Sequence, residues 1–164
     1  PAIARLAAFA ARQLLQDTRI AAFSLTGWDT HVNQQANLPR ALVQLQTAVL
    51  TLRRNLGPAW AETCVLAMTE FGRTAAENGA GGTDHGTAGL MLVAGGRVRG
   101  GRVYGPWPGL DEADLYDRRD LRPTTDLRAW AGWAVRALYG LDRATVERQV
   151  FPGLDLGTDP GLVA

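Results

Sequence analysis

The chain has 164 residues, 46% of them hydrophobic and 20% charged, and a formal net charge of +1 at pH 7. That length suits one domain able to bury roughly 70% of its unfolded surface, and the dispersed charge forms no basic stripe of the kind nucleic acid requires. No run approaches the roughly 20 apolar residues of a membrane span, and a single cysteine, Cys64, excludes an internal disulfide.

Residues 3–16 follow a helical pattern from the outset, with Ile3, Leu6, Ala7, Ala10 and Leu14 on one side. A chain that starts inside a helical pattern, with no charged-then-apolar signal, is expected to be a piece of a longer protein. Ile20–Thr26 is a short apolar run ending at Gly27 and reads as a buried strand. Leu38, Leu42, Leu45, Val49, Leu52 and Leu56 then form one apolar stripe. Asn37 suits the N-cap of that helix, Pro39 its first turn, and Gly57-Pro58 its end. Thr63–Thr69 reads as a second buried strand, with Cys64 buried and inert inside it. Strand, helix and strand in this rhythm predict a right-handed unit with parallel strands.

Residues 70–88 form a long glycine-rich stretch without periodicity, and loops of that length inside compact domains are usually functional. Gly89–Ala94 is a third apolar run. Val98 and Val103 around Gly100-Gly101 suggest a hairpin or bulged edge strand, and residues 105–123 a surface loop. Thr124 or Thr125 is the expected cap of a helix carrying Leu127, Trp130, Ala134, Ala137 and Leu138. A short helix runs from Asp142 to about Val150, and residues 154–164 read as a flexible tail.

Both histidines of the chain sit beside an aspartate in glycine-flanked loops: Gly27-Trp28-Asp29-Thr30-His31 and Gly82-Thr83-Asp84-His85-Gly86. Imidazole with carboxylate is the ligand set of zinc, manganese or iron. In an open sheet, ligands bind beyond the carboxyl ends of the strands. Asp29 and His31 follow the first strand, and Glu70 and Arg73 follow the second. If the third run returns antiparallel, His85 joins them. Asp29 and His31, two residues apart in an extended loop, point the same way. Asp84 is expected either to orient a ligand or to hold a second ion. Glu70 is either a ligand or the ion-pair partner of Arg73, and Arg73 suits a phosphate or sulfate group. The set predicts binding of a divalent metal, zinc first and manganese second, and ester hydrolysis of phosphate or sulfate.

The segments GWDTHVNQ, MTEFGRTAAENGAGGTDHG, GGRVRGG and DLRPTTDLR together resemble an uncharacterised, mostly exported bacterial family, domain of unknown function 1501, over roughly residues 20–153. That family is grouped with the alkaline-phosphatase-like and sulfatase-like superfamily. The resemblance implies the carboxy-terminal half of a three-layer α/β/α sandwich with a mainly parallel sheet, all of residues 1–164 belonging to that one domain. It also implies export to the periplasm through a twin-arginine signal. By motif, Asp29 and His31 match the superfamily's first ligand group, Glu70 stands where an Asp-His pair is usual, and His85 matches its late histidine. Phe71 departs from the pattern, occupying a histidine position. The nucleophile and another metal-binding aspartate would come from an amino-terminal half, so residues 1–164 alone are expected to be weakly active or inactive.

Two other readings compete. One is a non-catalytic structural or partner-binding module, with Trp107 between Pro106 and Pro108 and the acidic stretch 111–120 as contacts. The other, nucleotide binding, lacks the phosphate-loop lysine, and its glycine-rich loop does not open into a helix.

Overall fold

The structure is a computed structural model that describes residues 1–164. Two long helices form its first layer, α1 (Ala2–Leu14) and α2 (Gln34–Leu56). Ala7, Ala10 and Ala11 of α1 are buried against Ala48, Leu52 and Leu56 of α2, with Ile3, Leu14, Phe23, Leu25 and Val65 at the margin. Alanines on α1 let the two backbones approach closely, while the leucines of α2 supply the apolar volume.

Helix α2 begins a turn before the expected cap at Asn37. Its N-cap is Asn33, in the left-handed region at φ 47°, a conformation asparagine tolerates. The amides of Asn33 and Gln34 donate to the carbonyls of Ala80 and Gly81, at 3.1 and 2.7 Å. A distant loop therefore supplies the partners that a capping side chain would otherwise provide. Pro39 lies inside the helix rather than in its first turn, so one intrahelical bond is missing there. Asn37 instead donates through Nδ2 to the Val32 carbonyl at 3.0 Å.

After α2 the chain makes a 3-10 turn, Gly57–Glu62, and enters β1 (Val65–Ala67). Strand β2 (Gly72–Arg73) pairs antiparallel with β3 (His85–Gly86), and β1 pairs antiparallel with β4 (Leu92–Ala94). The third apolar run thus returns beside the second. The expected parallel pairing of 20–26 with 63–69 does not form in this chain, because residues 20–26 join no ladder. Burial nevertheless alternates along them: Phe23 and Leu25 turn inward onto the α1–α2 core, while Ser24 and Thr26 stay exposed. Strand β1 is half-buried rather than enclosed. Burial raises the Cys64 thiol to about 11, so it stays protonated and inert near neutrality.

Helix α3 (Leu127–Tyr139) is capped by Asp126, which accepts from the Arg128 amide at 2.8 Å, and not by Thr124 or Thr125. It ends at Gly140, φ 65°, where glycine carries no Cβ penalty. Helix α4 (Arg143–Thr145) starts from an Asp142 cap and continues as a π turn, Val146–Val150. Trp133 and Val146 bury with Leu154 and Leu156, and the Trp133 indole donates to the Leu156 carbonyl at 2.9 Å. The end of the chain is therefore packed, contrary to the tail expected from 154 onward. Val163 bridges Val98, and the Ala164 amide donates to the Arg97 carbonyl at 2.7 Å. That bridge replaces the hairpin expected between Val98 and Val103, and leaves Val103 98% exposed.

A candidate metal centre

The β2–β3 register pairs Arg73 with His85, and residues directly opposite in an antiparallel pair present their side chains on one face. The loop after residues 20–26 lays Asp29 against that face. Asp29 Oδ1 lies 2.5 Å from Arg73 Nη1, 3.0 Å from His85 Nε2 and 3.1 Å from His31 Nε2. The two imidazole rings are 4.8 Å apart at 44°, and Phe71 stacks on His85 at 4.0 Å. Phe71 thus fixes the ring of a neighbouring histidine.

Support comes from both sides. Asp84 Oδ1 lies 3.2 Å from His31 Nδ1 and accepts from Asn78 Nδ2 at 3.0 Å. Arg73 Nε donates to Thr83 Oγ1 at 3.1 Å, and Thr83 and the buried Thr30 both donate to Gln34 Oε1. Arg119 donates to the His85 carbonyl at 2.7 Å while holding Asp120, whose residue is only 5% exposed, at 2.7 Å. The stretch 105–123, read as surface loop, therefore contributes one buried anchor. Loop 78–83 crosses the loop of His31 so closely that a Cβ on Gly82 would run into the Thr30 and His31 carbonyls.

Electrostatics follow from these contacts. For Asp29, burial opposes ionisation, but hydrogen bonds from Arg73 and His85 and the neighbouring histidine charges outweigh it and hold the carboxyl below its usual range. Asp84 is held low chiefly by the hydrogen bonds from Asn78 and His31.

Asp29, His31 and His85 present three ligand atoms within 4.8 Å of one another. Donors arranged tetrahedrally around an ion at about 2.1 Å stand roughly 3.4 Å apart, close to the oxygen-to-nitrogen separations here. Three nitrogens converge on one Asp29 oxygen, and one of them, the Arg73 guanidinium, would have to yield its place to an ion held by that oxygen. Glu70 stands outside the cluster. It is exposed and makes no ion pair, and the expected Glu70–Arg73 bridge is replaced by Arg73–Asp29. The spacing of Asp29, His31 and His85 was legible in the sequence. Asn78, Arg119 and Gln34 carried no comparable signal: Asn78-Gly79 reads as an ordinary turn, and Gln34 precedes the apparent start of the helix.

Asp29 and His31 also line a cleft of about 460 Å³ with Asn37, Arg40 and Gln44 of α2. No helix is long and apolar enough to cross a membrane. No curated protein and no solved structure matches the chain. One family model does match, over residues 3–142, and all the residues of the candidate centre fall within that span; the chain belongs to the family described as protein of unknown function, DUF1501.

Proposed function

We propose that this chain is the divalent-metal-binding part of a phosphate- or sulfate-ester hydrolase of the alkaline-phosphatase-like superfamily, with zinc as first choice of metal and manganese as second. The convergence of Asp29, His31 and His85 on one point carries the reading. When bound, a divalent ion polarises the ester and acidifies water or a hydroxyl. Asp29 Oδ1 and the two Nε2 atoms hold the ion. Asp84 orients His31 from its far nitrogen, and His85 is held by Phe71 and by Arg119. Arg73, already held on Asp29, supplies a guanidinium beside the cluster, a group suited to an anionic ester. The cleft beside Asp29 and His31 is sized for a small ester.

The same proposal assigns the nucleophile and further ligands to an amino-terminal segment of the full-length protein, exported to the periplasm. That segment would complete a three-layer α/β/α sandwich around the β1–β4 pair. Substrate hydrolysis by residues 1–164 alone is then expected to be weak or absent.

Thermal unfolding of EDTA-stripped protein, with and without zinc or manganese, tests the metal reading. One ion at about 100 times its dissociation constant adds roughly 2.7 kcal/mol, or about 5–10 °C in midpoint for a chain of this size. The shift is expected in the wild type and not in the His31→Ala/His85→Ala variant. No shift in either the 164-residue chain or the full-length protein would favour a non-catalytic structural module instead.

A further inference from the structure

The Asn78 carboxamide uses its whole hydrogen-bonding capacity, two donors and two acceptor sites. Its Nδ2 donates to the His31 carbonyl at 2.9 Å and to Asp84 Oδ1 at 3.0 Å. Its Oδ1 accepts from the Ala80 amide at 2.9 Å and the Gly82 amide at 3.1 Å. The partners determine which way the group faces, since amides require the oxygen while a carbonyl and a carboxylate require the nitrogen.

This orientation bears on His31. A neutral imidazole has one ring proton, and two carboxylates compete for it: Asp84 at Nδ1, 3.2 Å away, and Asp29 at Nε2, 3.1 Å away. Asp29 Oδ1 already receives Arg73 and His85. Asp84 Oδ1 receives only Asn78 besides His31, and Asn78 aims it at Nδ1. The tautomer with the proton on Nδ1 follows, leaving the Nε2 lone pair directed at the point where the three ligand atoms meet.

We infer that Asn78 is a positioning residue that selects the Nδ1–H tautomer of His31 by holding Asp84 against it, and so presents Nε2 to a divalent ion. Tautomer selection is a property of the metal-free protein; the presentation of a ligand atom rests on the metal reading above.

Long-range proton–nitrogen NMR of the histidine-labelled, metal-free chain at alkaline pH tests this directly, paired with competition titration of zinc. His31 is expected as the Nδ1–H tautomer in the wild type. Asn78→Asp keeps an acceptor for the Ala80 and Gly82 amides but replaces both donations with a negative charge facing Asp84. It is expected to move His31 toward Nε2–H and to weaken zinc roughly 10–100-fold, the usual consequence of losing an outer hydrogen bond at a metal site. Asp84→Asn leaves the Asn78 loop bonds in place and is expected to shift the tautomer in the same direction, so the test survives misfolding of Asn78→Asp. A wild-type Nε2–H tautomer, or a tautomer that neither variant changes, would overturn the positioning role even if zinc binds. A variant-dependent tautomer in a wild type that binds no zinc would support the positioning role and overturn the metal reading.

Discussion

One carboxylate oxygen, Asp29 Oδ1, organises the centre, and Arg73 competes there with any bound cation. Removing that competitor has a definite sign. Arg73→Gln is expected to tighten zinc a few-fold, because the guanidinium no longer claims Asp29, and to weaken inorganic phosphate or sulfate binding to the zinc-loaded protein. Equal loss of both affinities on isothermal titration would show that Arg73 serves only the local structure. Asp84 gives a pH prediction. Hydrogen bonds from Asn78 and His31 make it more acidic folded than unfolded. Its share of stability is therefore fully present above the usual carboxylate range and lost as pH falls through the lowered folded value. The gap in urea midpoint between wild type and Asp84→Asn is expected to hold steady near neutrality and to close in acid. A gap that widens in acid would reverse the assignment.

At the scale of elements, the α1–α2 contact is the main source of cohesion. Leu52 is buried between the helices, and Leu52→Ala is expected to cost about 2–5 kcal/mol, read as a lower urea midpoint at unchanged slope. Asp126→Ala removes the α3 cap and is expected to cost about 1 kcal/mol. A cost near zero would mean that the Arg128 amide finds another partner. Both helices showed in the sequence because their apolar stripes repeat at the helical period. The starting point of α2 did not. The cap of α2 comes from carbonyls of Ala80 and Gly81, a contact across more than forty residues that no local pattern records. Residues 20–26 show the same limit. The apolar run reads as a buried strand, but a strand also needs a neighbour, and sequence spacing does not name one. The meeting of the two histidine loops was legible because the chain has only two histidines, each beside an aspartate.

The whole molecule exposes 10428 Å², against roughly 7,900 Å² for a compact monomer of this mass. The excess includes large apolar side chains such as Ile20, Leu90, Val103 and Trp107. Exposed apolar side chains on that scale are expected to bind ANS, and absence of ANS binding by the 164-residue chain would contradict the exposure described. The packed carboxyl terminus belongs to this scale as well. Leu154 and Leu156 looked like tail residues because their partners, Trp133 and Val146, sit on other elements. The central claim concerns the three ligand atoms, and X-ray absorption at the zinc edge of the stoichiometrically loaded protein tests it most directly. The expected spectrum has a nitrogen–oxygen shell at about 2.0–2.1 Å and the outer scattering of two imidazoles, which disappears in His31→Ala/His85→Ala. A zinc shell without imidazole, or no stoichiometric zinc, would contradict it.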